Sequence, residues 1–328
     1  MSTTHVSWPS IELFHNVVRT LAHLHELGRP FPSVEYRAKV KLHGSNCAVQ
    51  ITERGVFAQS RTSLLAPGAD YKGFAAWVQA HEAYFSGLRP GAILFGEWCG
   101  PGVEKGMAIS QAPTKIFAIF AALIAGRVIY EPAELRVLVP EAGAPGELFV
   151  LPWEGAETAI DFGSRAQLEV VAAVLEQRVI EVEHEDPWVK RALGVSGIGE
   201  GLVFYPVRVD GGPPSVEPQN LAELMFKAKG EKHRTAGAKV AVSVDPAVAA
   251  SADEFVSMMV TEARLQQGLS AVGARSPKNT GAFLVWIVAD VQKESVAELE
   301  ASGLTWAQVE KGVQAKARAW FLSSSGAS

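Results

Sequence analysis

Apolar and polar positions near the start of the chain alternate with the period of an α-helix. The pattern predicts a helix over residues 11–27, with Ser10 as its N-cap and Gly28 in the left-handed conformation that ends it. The apolar residues that share one face are Phe14, Val17, Leu21 and Leu24. The segment is therefore predicted to be an amphipathic helix.

The pattern then changes to the short apolar runs that are typical of strands. Strands are predicted over residues 36–51 with an interruption at 43–45, and over 55–60, 92–96, 116–124, 128–130, 201–207 and 224–228. Helices are predicted over 71–85 and 164–183, the second with Ser164 as its N-cap. Gly126 suits the turn of a hairpin after 116–124.

The last part of the chain shows helical periodicity alone. Helices are predicted over 253–269, 281–294 and 305–322, with Thr305 as the N-cap of the last one. Residues 235–250 are mostly small and include one proline, so they are predicted to form a linker. The chain is therefore predicted to combine an α+β domain, residues 1–240, with a small all-helical domain, residues 241–328.

Composition narrows the class of protein. The 328 residues are 48% hydrophobic and 20% charged, which argues against wholesale disorder. Residues 1–10 lack the features of a secretory signal, and the longest apolar stretch, 116–125, is shorter than the roughly 20 residues that span a bilayer. Cys47 and Cys99 lie in apolar runs, which predicts buried thiols and excludes a disulfide framework. We expect a monomer without membrane contact, in the cytoplasm or another soluble intracellular compartment.

The formal net charge of −5 argues at first against a nucleic-acid partner. Binding to phosphates depends on local clusters of lysine and arginine, however, and not on the total charge. One such cluster consists of Lys227, Lys229, Lys232, His233, Arg234 and Lys239. An acidic protein can therefore bind nucleic acid through one basic groove.

A polar turn interrupts the strand predicted at 36–51 and holds the first candidate for chemistry. Its sequence is Lys41-Leu42-His43-Gly44-Ser45-Asn46, so a lysine ends one half-strand directly before a glycine turn. The amine would then lie at the rim of a sheet, where it can attack a bound phosphate. Lysine is a nucleophile only when its amine is uncharged, and we expect Lys39, Lys227 and Lys229 to favour that form. A surface lysine beside a turn would explain the same pattern.

Further charged side chains lie inside apolar, strand-like runs, where they are costly unless paired. They are Arg61, Glu97, Glu200, Lys227 and Lys229. Structural ion pairs would explain one or two of them, whereas five in series favour a polar pocket. Lys227 and Lys229 project to the same side of a strand, so both can reach one phosphate.

The blocks that contain these residues resemble, in their order, the motifs of covalent nucleotidyltransferases, which include polynucleotide ligases and mRNA capping enzymes. After the lysine turn come SRT at 60–62, FGEWCGPGVEK at 95–105, FAIF at 117–120, EGLVF at 200–204 and FKAK at 226–229. The chain is most similar to the RNA ligase 2 branch, because His43 replaces the usual aspartate, 95–105 is close to the branch's pattern, and SPKN at 276–279 precedes a predicted helix. The resemblance covers residues 11–322.

The resemblance implies roles for the residues in and after the turn. Lys41 would form the lysyl-adenylate, and Leu42 would lie beside the nucleotide. His43 and Asn46 would belong to the loop needed for the later steps that depend on nucleic acid. Arg61 would contact the phosphate of AMP or the 5′-phosphate end.

It also implies roles for the later blocks. Glu97 would bind the ribose hydroxyl, and Phe120 would stack on adenine. Glu200 would assist activation of the lysine or bind a metal through water. Lys227 and Lys229 would hold the phosphates, since phosphoryl transfer requires stabilisation of charge on the phosphate oxygens.

The implied protein is an ATP-dependent RNA ligase that requires Mg²⁺ or Mn²⁺ and joins 5′-phosphate and 3′-hydroxyl ends, at nicks in duplex RNA, in RNA repair. The implied fold is an antiparallel α+β nucleotidyltransferase domain, with a helical domain in place of the OB-fold module of DNA ligases. Two positions depart from the branch. Val40 stands where an acidic residue is frequent, and Tyr205 stands where a lysine is frequent. These changes affect the shape near adenine and the positive charge near the phosphates.

Other functions are compatible with parts of this pattern. A related enzyme would join DNA or cap RNA with GTP, although residues 253–322 are too helical for the OB-fold of a DNA ligase. A catalytically silent RNA-binding protein should have lost Lys41, Glu97 or one of the paired lysines, and all are present. The sequence leaves open whether the substrate is nicked duplex RNA, single-stranded RNA or an RNA–DNA hybrid.

Overall fold

A computed structural model describes residues 4–66, 68–229, 247–273 and 275–323. The chain divides into two units, one containing Met1–Val17 and Phe31–Ala236 and the other containing Val18–Pro30 and Gly237–Ser328. The predicted boundary at 240 and most of the predicted linker lie outside the described residues, so the division into 1–240 and 241–328 stays a prediction. In the ranges that are described, every helix is too short or too polar to cross a bilayer.

The first unit is built from strands with helices between them. The strands are β1 Glu12–Leu13, β2 Ser33–Lys41, β3 Ser45–Thr52, β4 Gly55–Ser60, β5 Ala92–Cys99, β6 Ile116–Ile124, β7 Arg127–Ile129, β8 Leu148–Val150, β9 Glu154–Asp161, β10 Gly201–Val209 and β11 Phe226–Lys229. The helices are α1 Phe14–Glu26, which begins in this unit, α2 Phe74–Ala80, α3 Glu82–Ser86, α4 Pro132–Leu138, α5 Arg165–His184, α6 Pro187–Leu193 and α7 Pro218–Leu224.

The strands form two sheets. One has the order β1-β11-β10-β2-β9, and the other has the order β4-β3-β5-β6-β7 with β8 beside β6. Among the described strands, the pairs β1–β11 and β6–β8 are parallel and the other ladders are antiparallel. The predicted α+β class with antiparallel sheets is therefore confirmed.

Apolar side chains fill the space between the two sheets. One buried cluster joins Val203 and Tyr205 of β10 to Phe95 of β5 and Ala121 of β6, with Trp8 beside them. A second cluster packs the outer face of the other sheet onto α2 and α3. The first six residues of β10 are buried, and the charged Glu200 directly precedes them. The space between the two sheets, called the cleft below, therefore has its polar end where β10 begins.

Several predicted element ends are confirmed. Gly28 has a φ of +92°, as expected of the residue that ends a helix. The Ser164 side chain accepts a hydrogen bond from the backbone N–H of Gln167 and caps α5. Ala125 and Gly126 have φ values of +51° and +79° and form the predicted hairpin turn between β6 and β7.

Other ends differ from the predictions because tertiary pairing decides them. The first helix starts at Phe14 instead of residue 11, since Glu12 and Leu13 form a short strand beside β11. Ser10 is therefore not its N-cap. The helix predicted over 71–85 is two helices that are separated at His81.

The described part of the second unit is helical, which confirms the predicted helical C-terminal region. After the end of α1 its helices are α8 Ala247–Met259, α9 Glu262–Val272, α10 Thr280–Glu294, α11 Val296–Ser302 and α12 Trp306–Ser323. The helix predicted over 253–269 is interrupted at Thr261, whose side chain accepts from Arg264 N–H and caps α9. Their buried core includes Phe255, Phe283 and Phe321.

Candidate active site

The strand register brings two lysines together at the end of the first sheet. Gly201 at the start of β10 lies opposite both Lys41 at the end of β2 and Lys229 at the end of β11. Directly opposite residues in antiparallel strands project from the same face. Gly201 has a φ of +146°, and a Cβ atom there would lie 2.1 Å from the carbonyl oxygen of Ala228. A glycine is therefore required between the two lysines.

The residue before Gly201 places a carboxylate between the two amines. Glu200 Oε2 accepts a hydrogen bond from Lys41 Nζ at 2.7 Å, and Glu200 Oε1 lies 2.9 Å from Lys229 Nζ. His43 Nδ1 lies 3.5 Å from Glu200 Oε2. The Glu200 side chain is 5% exposed, whereas those of Lys41 and Lys229 are 23% and 19% exposed. A buried carboxylate thus holds two partly exposed amines at one place.

Glu200 remains ionised in this setting. Burial by itself would raise the pKa of its carboxyl group, but the positive charges of Lys41 and Lys229 outweigh burial. Together with the hydrogen bond to His43, they hold the pKa of Glu200 well below its ordinary value of 4.5. Glu200 is therefore a fixed negative charge that orients the two amines.

A second carboxylate shares the pocket but titrates differently. Burial raises the pKa of Glu97, on β5, to about 7. The charges of Lys41, Arg61 and His43 act to lower that pKa, while the charge of Glu200 acts to raise it. Because interactions between charges weaken with distance, these four residues lie near Glu97.

Replacing Glu97 with glutamine should stabilise the fold at about pH 8 and have little effect at about pH 4. The folded-state pKa of about 7 exceeds the ordinary value of 4.5, so the half-buried carboxylate destabilises the fold progressively as the pH rises through this interval. The full effect is about 3 kcal/mol, at roughly 1.36 kcal/mol per pKa unit. Thermal unfolding of both proteins at the two pH values measures it.

Glu169→Gln, on the exposed surface of α5, is the matched control and should unfold like the wild type at both pH values. Identical unfolding temperatures for the wild type and Glu97→Gln at about pH 8 would show that the carboxyl group is not held in a site that opposes its ionisation.

The remaining predicted site residues of the second sheet lie near Glu97. Asn46 on β3 is directly opposite Glu97 on β5. Arg61 follows β4 and acts electrostatically on Glu97. The Leu42 side chain is buried in the core, so its side chain does not line an open pocket.

Phe120 lies at a β-bulge on β6. The residue pairs on either side are Phe95 with Ala121 and Gly96 with Ile119. Phe120 is therefore the extra residue, and bulges of this kind re-aim side chains. Its half-buried ring packs edge-on against Trp8, with the ring centroids 5.2 Å apart. The ring lies on the side of β6 that faces the first sheet, where the apolar cluster between the sheets begins.

A second pair of lysines, two residues further along the same strands, is more buried than Lys41 and Lys229. Lys39 and Lys227 both lie opposite Val203. Lys227 is buried, on the same face of β11 as Lys229. Lys39 is 1% exposed, and its amine donates a hydrogen bond to the carbonyl oxygen of Phe120 at 2.8 Å. Lys39 lies on the predicted face of β2, and its predicted effect on Lys41 stays a prediction.

The two departures from the branch's pattern are core residues. Val40 is buried. Tyr205 is also buried, and its ring stacks on Tyr130 with the centroids 5.4 Å apart. The Lys39 amine lies 5.5 Å from the centroid of the Tyr205 ring. Of the predicted basic cluster, Lys232, His233, Arg234 and Lys239 lie outside the described residues.

The turn after Lys41 is packed tightly against β5. A Cβ atom on Gly44 would lie 2.4 Å from the carbonyl oxygen of Trp98 and 2.7 Å from the Cβ atom of Cys99. The glycine therefore lets the turn that carries His43 approach the strand that carries Glu97.

Both cysteines are buried and reduced, as predicted.

Gly44→Ala should lower the unfolding temperature, because backbone and a buried side chain must move to make room for the methyl group. We expect this overpacking to lower the free energy of unfolding by about 1–3 kcal/mol. Gly146→Ala is the matched control, since a Cβ atom there meets nothing within 4 Å. Thermal unfolding of the two variants compares them, and equal unfolding temperatures would contradict the tight approach.

Two residues that the sequence did not single out support the same turn. Lys72 has a φ of +51°, and its amine contacts Glu104 at 2.5 Å and Ser45 Oγ at 3.2 Å. Burial raises the pKa of Tyr71, and its hydrogen bond with Ser45 lowers it. A tyrosine and a lysine before a helix are too common in sequences to have indicated this contact.

A divalent metal fits this pocket only in part. Both oxygens of Glu200 already contact cations, and the described residues contain no cluster of three or more metal-binding side chains. Mg²⁺ usually keeps several waters and binds one or two carboxylates together with substrate phosphates. Glu200 is therefore suited to contact, through a water molecule, a metal that is bound to substrate phosphates. It is not suited to a metal site formed by protein ligands alone.

The sequence of this chain matches one family of known proteins. The sequence profile of the RNA ligase family matches residues 34–228, which include Lys41, Glu97, Glu200 and Lys227. Because the match covers more than half of the chain, the chain belongs to the RNA ligase family. No curated protein matches it.

Solved structures of Naegleria gruberi RNA ligase are similar to part of the chain. A lysine-to-alanine mutant with ATP and Mn has 17% sequence identity and a TM-score of 0.46, and the ligase with PPi has 17% identity and a TM-score of 0.44. Each match covers 71% of this chain and 58% of the Naegleria chain. This chain thus spans a little over half the length of those ligases.

Proposed function

We propose that this protein is an ATP-dependent RNA ligase that carries AMP on Lys41 and joins 5′-phosphate to 3′-hydroxyl ends of RNA. The observation that supports it most is the pair of lysine amines on one buried carboxylate: Lys41 at 2.7 Å and Lys229 at 2.9 Å from Glu200. Membership of the RNA ligase family supports the choice of RNA.

In the first step, Lys41 Nζ attacks the α-phosphorus of ATP. The amine attacks in its uncharged form; a nitrogen–phosphorus bond forms, the bond to pyrophosphate breaks, and the nitrogen then loses one proton to solvent. Glu200 orients the amine through the 2.7 Å hydrogen bond, so the nucleophile is positioned before ATP arrives. Since the pKa of Glu200 is lowered, its role here is orientation and not removal of the proton.

The positive side chains of the pocket stabilise the phosphates. Lys229 is held next to Lys41 by the shared carboxylate, and Lys227 lies on the same face of β11. Arg61, near Glu97, supplies a third positive charge for AMP or for the 5′-phosphate end. Positioned charges of this kind act on the phosphoryl oxygens, where negative charge is concentrated during transfer.

The second sheet binds the nucleoside in this proposal. Phe120 stacks on adenine from its position at the bulge of β6. Glu97 accepts a hydrogen bond from a ribose hydroxyl, while Leu42 contributes backbone contacts beside the nucleotide. Glu200 would contact Mg²⁺ or Mn²⁺ through water, and the metal would neutralise charge at the phosphate oxygens.

Two later steps complete the reaction. AMP passes from Lys41 to the 5′-phosphate, which breaks the nitrogen–phosphorus bond and forms a new phosphoanhydride. A 3′-hydroxyl then attacks the phosphorus of the 5′-end, so a phosphodiester bond forms and AMP leaves. His43, on the tightly packed turn, and Asn46, on β3, serve these later steps. We infer that the substrate is nicked duplex RNA, that the role is RNA repair, and that the enzyme acts as a monomer.

Two comparisons test the proposal. The protein should acquire radioactivity from ATP labelled in the α-phosphate and not from labelled GTP, whereas a capping enzyme would prefer GTP. It should then seal a nick in an all-RNA duplex faster than the same nick in an RNA–DNA hybrid or in DNA. Labelling from GTP alone, or sealing of DNA alone, would overturn the proposal.

A further inference from the structure

The amine of Lys39 is buried between the two sheets, two residues before Lys41. It donates a hydrogen bond to the carbonyl oxygen of Phe120 at 2.8 Å. It also lies 5.0 Å from the centroid of the Trp153 ring and 5.5 Å from that of Tyr205. Burial lowers the pKa of Lys39 well below its ordinary value, although the charge of Glu131 acts in the opposite direction.

The hydrogen bond connects the two sheets at the place where ATP is proposed to bind. Lys39 belongs to β2, the strand that ends in Lys41, while Phe120 belongs to β6 of the other sheet. The bulge leaves Phe120 without a paired residue on β5. The lysine amine therefore fixes the backbone of the one residue on this strand whose ring is proposed to stack on adenine.

Burying a lysine amine is costly, so a purely space-filling role would favour an apolar side chain. Here one carbonyl and two aromatic faces compensate part of the cost. An apolar side chain could not form the hydrogen bond that the Lys39 amine makes to Phe120 across the cleft. This bond holds the distance between the strand of the nucleophile and the bulge of Phe120.

We propose that Lys39 is a positioning residue that fixes Phe120 relative to Lys41 and thereby sets the affinity of the pocket for the adenine nucleotide. The inference rests on the proposed function, since it assigns Lys39 a part in the binding of ATP. Lys39 itself is 1% exposed and acts only through Phe120.

The test measures the rate of self-adenylylation against ATP concentration for Lys39→Met, which keeps the length of the side chain and removes the donor. Loss of the hydrogen bond should raise the KM for ATP about tenfold, the size expected when a buried carbonyl loses its partner. The kcat should change less than about threefold.

Arg37→Met is the matched control, because Arg37 lies on the same strand with its guanidinium 5.3 Å from the same Trp153 ring. Its KM should stay within about twofold of the wild type.

A double-mutant cycle with Phe120→Ala separates positioning from a general structural role. If Lys39 acts through the ring, Lys39→Met should raise the KM in the wild-type background and have no further effect when the ring is absent. Equal increases in both backgrounds, or an unchanged KM in Lys39→Met, would overturn the inference.

Lys39→Leu, which also removes the donor, replaces Lys39→Met in the same cycle if the methionine variant does not fold. The same two outcomes then decide. A wild-type protein that takes no label from ATP would overturn the proposed function and this inference together. A labelled wild type with additive effects in the cycle would overturn the inference alone.

Discussion

Lys41→Ala should take up no AMP from ATP, yet it should still seal a nick whose 5′-phosphate already carries AMP. The first step needs the Lys41 amine as nucleophile, whereas the last step uses the 3′-hydroxyl and a pre-formed phosphoanhydride. Glu200, Lys227 and Lys229 remain in the variant to bind the phosphates. Gel assays of labelled protein and of a pre-adenylylated RNA nick measure the two steps separately.

The control for this prediction is Lys190→Ala. Lys190 is an exposed lysine that pairs with Glu185 on the surface, so its loss should change neither step. Uptake of AMP by Lys41→Ala at the wild-type level would contradict the assignment of the nucleophile.

Glu200→Gln should slow self-adenylylation by about 100-fold, the size of effect seen when one preorganised polar group is removed from an active site. Glutamine presents an amide N–H₂ to at least one of the two lysine amines, and both amines lose their ion pair with residue 200. Lys41 would lose the 2.7 Å bond that orients it, and Lys229 would lose its contact at 2.9 Å. Single-turnover labelling with ATP measures the rate.

The same substitution should lower stability in a pH-dependent way. The pKa of Glu200 is lowered in the folded state, so its contribution to stability is present above the ordinary value of 4.5 and is lost as the pH falls through the folded-state pKa. Glu200→Gln should therefore unfold at a lower temperature than the wild type near pH 7, and the two should converge in acid. Both amines are partly exposed, so we expect a cost of about 1–3 kcal/mol, below that of a fully buried pair.

Glu185→Gln is the matched control, because it breaks an ion pair with Lys190 on the exposed surface. It should leave the unfolding temperature and the labelling rate unchanged. A labelling rate for Glu200→Gln within about threefold of the wild type would show that the carboxylate does not orient the nucleophile.

Local patterns in the sequence were sufficient for most helices and strands. The strand over residues 116–124 and the cap at Ser164 follow from apolar runs and capping chemistry within a few residues. The start of the first helix does not, because the pairing of Glu12 and Leu13 with β11 depends on residues more than 200 positions away. The interruption at Thr261 was missed because apolar residues continue on both sides of it.

The order of the polar blocks indicated which residues share a pocket, but not which atoms meet. Lys41 and Glu200 are 159 residues apart in the sequence, and only the pairing of β2 with β10 brings them into contact. The contacts of Lys39 could not be predicted from the sequence either. Its position two residues before Lys41 predicts the same face of the strand, whereas the bulge at Phe120 that receives its amine has no marker in the sequence.

Location of the bound AMP tests the central claim most directly. The wild-type protein is incubated with ATP and a divalent metal and digested, and its peptides are analysed by mass spectrometry. We expect AMP on the peptide that contains Lys41, attached through nitrogen and therefore released by acid. AMP attached to any other residue, or no AMP on the protein, would contradict the claim.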